Sequence, residues 1–189
     1  LQGTPTLSTG DGDMAIRVSN SGSGSAVDIG LGATAGRMTI SGGELQRITA
    51  ENLILTDDAD GSGDINITVN GISATNSNNI DTLLTLNATG PTGTVTFQNG
   101  NSTFNALTVS AGGGIDIITD SLTLATDEGA LILDGDSNNA AGGGVDDQID
   151  FNAGVTLTAA TSLTLDATTG DSGVGLDAAG ALTLNANAG

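Results

Sequence analysis

The chain has 189 residues, with 22 acidic side chains against three basic ones, a net charge of −19, and no His, Cys, Trp or Tyr. Arg17, Arg37 and Arg47 are the whole cationic complement, too little to hold a nucleic acid backbone or an anionic membrane surface. Without Cys or His there is no disulfide, no thiolate metal site and no Ser-His or Cys-His catalytic pair.

Read from its start, the sequence repeats one device: two apolar residues flanking an outward one. The triplets are Met14–Ile16, Val27–Ile29, Met38–Ile40, Leu53–Leu55, Ile65–Ile67, Leu84–Leu86 and Val95–Phe97. They continue as Leu107–Val109, Ile115–Ile117, Leu122–Leu124, Leu131–Leu133, Ile149–Phe151, Val155–Leu157, Leu163–Leu165, Val174–Leu176 and Leu182–Leu184. Apolar residues two apart face one side of a strand, with Thr, Asp or Asn facing the other. Gly-, Asn- and Asp-rich segments between them supply turns. A single helical turn is expected within Gly43–Asn52, and no other helix.

The segment Gly154–Ala167 is echoed nineteen residues later, with Val155 over Val174, Leu157 over Leu176, Leu163 over Leu182 and Leu165 over Leu184. A fixed short period built from such triplets predicts an all-β chain winding into a stacked parallel β-solenoid (β-helix) with coils of about 19 residues. A longer parallel sets Leu84–Gly129 against Leu131–Gly189, with a shorter copy opening at Leu53. These divisions give atypical N-terminal coils or a cap over 1–42, a first module over 43–82, a second over 83–129 and a third over 130–189. The competing architecture is an antiparallel β-sandwich array, which also uses many short strands. Strands of three residues and a core nearly free of aromatics favour the solenoid. The chain opens on Leu1 and stops at Gly189 in mid-pattern, so it reads as an excerpt of something longer.

The run from Gly43 through Leu55, the following Gly63-Asp-Ile-Asn-Ile67 and the serial Leu-Thr-Leu triplets resemble the large repetitive exoproteins of the filamentous-haemagglutinin type. The resemblance covers most of residues 36–189. It implies a right-handed parallel β-helix, secretion across a bacterial outer membrane, and cell-surface adhesion or matrix building.

Chemistry is sparse. A polysaccharide-cleaving site needs paired acids in a groove, or basic residues to stabilise a carbanion; Lys and His are absent and Arg lies only in the first quarter, so no catalytic residue and no enzyme is expected. The best metal motif is Asp57-Asp-Ala-Asp-Gly-Ser-Gly-Asp64, where Asp58, Asp60, Ser62 and Asp64 place oxygen atoms at the alternate positions a Ca²⁺ loop uses. The acid that an EF-hand carries at its twelfth position is replaced by Val69. Asp134, Asp136 and Asn138 form a second partial match. The plainer reading of both is an Asx-rich turn. An outward stack of Thr85, Thr108, Thr123, Thr164 and Thr183 on one face would suit ice binding, while the plainer reading is the β-propensity of Thr at exposed, pleated positions. Three Asn-x-Thr acceptor patterns begin at Asn66, Asn87 and Asn101, as chance allows in a chain this rich in Asn and Thr.

The expected role is therefore a non-catalytic structural or adhesive segment of an extracellular bacterial fibre or surface adhesin, with a carbohydrate- or ice-binding module as the alternative. Its expected partners are copies of itself or adjacent modules, end to end, and host or matrix glycans. No nucleic acid and no membrane insertion are expected.

Overall fold

The computed structural model describes residues 5–19, 27–57, 64–88, 90–138, 148–167 and 176–186. The chain begins with β1 (Leu7–Ser8), β2 (Met14–Val18), β3 (Val27–Gly32), β4 (Met38–Ile40), α1 (Gly42–Leu45), β5 (Ile48–Asp57), β6 (Ile65–Asn70) and α2 (Ala74–Ser77). It continues through β7 (Ile80–Ala88), β8 (Val95–Phe97), β9 (Ser102–Phe104), β10 (Leu107–Ala111), β11 (Ile115–Ile117) and β12 (Thr123–Thr126). The last third holds β13 (Leu131–Asp134), β14 (Ile149–Phe151), β15 (Thr156–Ala159), β16 (Leu163–Asp166), β17 (Leu176–Ala178) and β18 (Thr183–Ala186).

These strands form three sheets that the chain visits in turn. The first runs β1-β5-β7-β10-β13-β16, with β2 also on β5; the second runs β4-β3-β6-β8-β11-β14-β17; the third runs β9-β12-β15-β18. Every pairing among the described residues is parallel. An antiparallel sandwich is thereby overturned, and the topology is that of a β-solenoid at the level of its sheets.

Inside, like stacks on like. One column of the first sheet reads Leu53, Leu84, Leu107, Leu131, Leu163, and one of the second reads Ile67, Val95, Ile115, Ile149, Leu176. Phe97 lies in the second sheet between Val69 and Ile117. Most of these side chains are fully buried, so the period-two alternation written in the triplets is what sorts core from surface.

The coil length of about 19 residues is not observed. Partners in the first sheet are 39 residues apart from Met14 to Leu53, 31 from Leu53 to Leu84, 23 from Leu84 to Leu107, 24 from Leu107 to Leu131 and 32 from Leu131 to Leu163. The nineteen-residue echo instead matches one face with another. Leu157 stacks between Leu124 and Leu184 in the third sheet, whereas Leu176 stacks on Ile149 in the second. Leu165 belongs to the first sheet and Leu184 to the third. All faces are built from the same triplet and the same turn residues, so a self-comparison of the sequence locks onto strand-to-strand spacing rather than onto a full circuit.

The third face starts as helix and ends as strand. Helix α1 packs on α2, and α2 packs on β9. Ser41 and Glu44 form a reciprocal capping box at α1, the Ser41 hydroxyl accepting from the Glu44 N–H at 3.3 Å and the Glu44 carboxylate accepting from the Ser41 N–H at 2.9 Å. The helical turn expected within Gly43–Asn52 stops at Leu45, because Ile48–Asp57 is strand β5. The second turn, α2, was not expected. Its signal is Ser73 with Asn76 three residues on, whose side chain accepts from the Ser73 N–H at 3.2 Å and the Ser73 hydroxyl at 2.8 Å.

One connection is unusually tight. Only residues 33–37 separate β3 from β4, although the two pair in parallel with Ile29 opposite Met38; parallel neighbours ordinarily need a crossover of a dozen residues or more. The loop folds so closely over β3 that a Cβ on Gly36 would lie 2.8 Å from the Gly30 nitrogen. Strand β4 thereby becomes the outer edge of the second sheet. No helix among the described residues is long and apolar enough to cross a membrane.

Candidate functional site

The described ends of the two acidic loops, Asp57 and Asp64 in the first and Asp134 to Asn138 in the second, fall at the same corner, where the chain passes from the first sheet to the second. Between them along that corner lie the short turns that follow β7 and β10. Asp58, Asp60 and Ser62 lie outside the described residues.

Asp64, just before β6, has its carboxylate turned onto the next circuit. It accepts the Thr92 N–H at 3.1 Å through one oxygen and the Thr92 hydroxyl at 2.5 Å through the other. Gly90, at φ +92°, lets the backbone pass directly over this carboxylate; a Cβ there would collide with it. Asp64 is thus a tie between successive circuits.

The second loop begins where β13 ends. Asp134 accepts the Asp136 N–H at 3.2 Å, an Asx turn, and Asp136 itself is buried. Asn138 donates its side-chain amide to the Gly112 carbonyl at 2.6 Å, and the Ser137 N–H donates to the Ala111 carbonyl at 3.0 Å. The corner therefore rests on the turn one circuit before it. Burial pushes the Asp134 carboxyl above the usual carboxylate range; the Asp136 N–H pulls it down, and the charges of Asp166 and Asp136 push it up further. Among the described residues no three His, Cys, Asp or Glu side chains are grouped so as to hold a metal ion. Asp64 and the Asp134–Asn138 corner each serve their own inter-circuit contact.

Register exposes a feature not anticipated from the sequence: aspartates stacked on aspartates. Asp116, Asp150 and Asp177 face one another across β11, β14 and β17, and Asp134 faces Asp166 across β13 and β16. The available signal was the central Asp of Ile115–Ile117 and Ile149–Phe151, but only register shows that these positions adjoin.

The threonines do not share one face. Thr85 and Thr108 pair in the first sheet, where Ile132 separates Thr108 from Thr164. Thr123 and Thr183 lie in the third sheet on either side of Thr156. Over the first of these faces lies a shallow depression of about 430 Å³, lined by Asp81, Leu83, Thr108, Glu128 and Ile132 among others. A smaller cleft of about 200 Å³ opens at the β2/β4 end, lined by Leu7, Ile16, Met38, Ile40, Glu44 and Ile48.

No protein-family model, no curated protein and no solved structure matches this chain.

Proposed function

We propose that the chain is a non-catalytic structural and adhesive segment, a right-handed β-solenoid rod belonging to an extracellular bacterial fibre or surface adhesin. The observation that carries this reading is the stacking of apolar columns through the first and second parallel sheets. Such a stack gains length by adding circuits, and each circuit contacts only its neighbours. Right-handedness follows the general preference for right-handed crossovers between parallel strands. The six levels of the first sheet, at about 4.8 Å each, measure about 24 Å from first to last.

The outer surface supports a role in display. Its outward positions carry Thr, Asp, Asn and Ser with few cations, which keeps a rod soluble and presents hydrogen-bonding groups at regular intervals. Stacked Thr123, Thr156 and Thr183, and the depression beside Thr108, favour glycan or ice as the class of ligand in the second reading, a carbohydrate- or ice-binding solenoid.

Fibre diffraction of oriented material tests the rod. A reflection near 4.8 Å along the long axis is expected, and its absence from oriented samples overturns the reading. Antibody raised against the chain should label the outside of intact cells that make it; labelling only after permeabilisation removes the extracellular assignment. Glycan-array and ice-recrystallisation assays separate the second reading from the first.

A further inference from the structure

The three faces carry different outward side chains. One outward column of the second sheet reads Thr68, Thr96, Asp116, Asp150, Asp177, and one of the third reads Thr103, Ala125, Thr158, Asn185. The first sheet presents Ile54, Thr85, Thr108, Ile132, Thr164 from β5 to β16. Beside that column stand Leu83, Ala106 and Ala130. Leu84 and Leu107 donate to the Ala106 and Ala130 carbonyls at 3.1 and 3.0 Å, which carries the register past the strand ends. Among the described paired strands, outward positions hold an aliphatic side chain larger than alanine only on this first face.

Acids border the apolar strip. Between Ala50–Ile80 and Asn52–Leu83 the register of β5 and β7 shifts, so Asp81 and Thr82 together oppose Glu51. Glu51, Asp81 and Glu128 are exposed along this margin, and Asp134 stands across the strip, one outward position beyond Ile132. Arg47 precedes β5 but reaches toward β1, away from β7, donating to the Pro5 carbonyl at 3.2 Å and the Gly43 carbonyl at 2.8 Å. No Lys or Arg follows it in the sequence. The depression of about 430 Å³ lies in this strip, where small Ala106, Gly129 and Ala130 leave room between Leu83 and Ile132. From β7 to β13 it spans two strand spacings, about 9.6 Å, against a helix diameter of about 10 Å.

We propose that this face captures a cationic amphipathic helix of another protein. Its apolar side lies on Leu83, Ala106, Ala130 and Ile132, and its Lys or Arg side chains meet Asp81 and Glu128. This goes beyond the rod reading and does not depend on it. An exposed apolar patch with a polar rim is the mark of an interaction surface, and a groove that takes an amphipathic helix needs an apolar floor. The rim selects the sign of the partner, and the net charge of −19 draws cationic partners in and turns anionic ones away. A sugar ring finds no aromatic platform here, because Trp and Tyr are absent and Phe97, Phe104 and Phe151 are buried.

Fluorescence anisotropy of a labelled helical peptide of Leu and Lys in amphipathic order, titrated with the whole chain, tests this. Binding is expected, and none by the same pattern with Glu in place of Lys. Leu83→Thr/Ile132→Thr keeps the net charge and suits outward strand positions; it should weaken binding about tenfold or more by removing apolar contact. Asp81→Asn/Glu128→Gln should weaken it about tenfold or more, whereas Asp116→Asn/Asp150→Asn, the same change of charge on the second face, should leave it within about twofold. Circular dichroism and thermal melts of each variant guard against a folding defect. Independently of any variant, a photo-reactive group on the peptide should cross-link to residues 81–83, 106–108 and 128–132. Wild type that does not bind, no loss from the apolar pair, equal losses from the two charge pairs, or cross-links to another face would each overturn the proposal. Displacement of the peptide by a neutral oligosaccharide would give the depression to a glycan and overturn it too.

Discussion

Asp134 and Asp166 are register partners on β13 and β16, so two carboxylates lie one above the other beside a corner where Asp136 is already buried. Like charges placed directly opposite across strands destabilise a sheet. Asp116, Asp150 and Asp177 repeat the arrangement on the second sheet. In a chain of net charge −19, these ladders are where repulsion is built into the fold itself rather than spread over its surface.

Stability should respond to pH through Asp134. Its carboxyl is raised above the ordinary range, chiefly by burial, so in the window between the unfolded value near about 3.9 and the raised folded value the folded chain binds more protons. Stability at this site therefore falls as pH rises through that window and stays lower above it. Asp134→Asn keeps an acceptor for the Asp136 N–H and removes the charge. Thermal melts at pH 7 should show the variant more stable than wild type, with the difference shrinking toward pH 4. A difference that does not change with pH would mean the stacked charge plays no part.

Salt should act on the same ladders. Sodium chloride is expected to raise the melting temperature, because screening weakens repulsion between the stacked carboxylates. The rise should be smaller in Asp150→Asn, which removes the middle of the Asp116–Asp150–Asp177 ladder. A larger rise in calcium chloride at matched ionic strength, lost when Asp58, Asp60 and Asp64 are all changed to Asn, is the signature of ligation at the first acidic loop.

The tie between Asp64 and Thr92 should be measurable alone. Asp64→Ala deletes the acceptor for both the Thr92 N–H and its hydroxyl, and should cost about 1–3 kcal/mol in urea unfolding. Thr92→Val, which retains the N–H bond, should cost less. Equal losses would place the contribution of Asp64 elsewhere.

Inward and outward positions of one strand should differ sharply. Leu107→Ala opens the column between Leu84 and Leu131 and should cost about 2–5 kcal/mol. Thr108→Ala, one residue on and facing outward, should stay within about 0.5 kcal/mol. Comparable losses from urea unfolding of the two would contradict the assigned alternation.

Some of the third face was hidden by its polarity. Ser102 occupies an inward position of β9 and is almost fully buried, yet a polar residue there reads as loop. Its hydroxyl accepts the Ile72 N–H at 3.2 Å, which is why the core tolerates it. Ser77 on α2 is likewise buried, donating to the Thr103 carbonyl at 3.0 Å. Neither partner is near in sequence, so neither bond leaves a local trace.

What the amino-acid order determined by itself is most of the strands and which way their side chains point. Alternation is a property of three adjacent residues, as in Leu84-Thr-Leu86 or Ile115-Asp-Ile117, and needs no knowledge of neighbours. What only the tertiary structure decided is which sheet each triplet joins, how long each circuit runs, and which outward residues meet. Loops absorb circuits of 23 to 39 residues in the first sheet at a cost that grows only slowly with their length, and the triplets are near copies of one another. The local pattern therefore holds no memory of its place in the stack. Pairing between strands from successive circuits supplies that place, setting Asp134 against Asp166 and Arg17 at the far end of the same column.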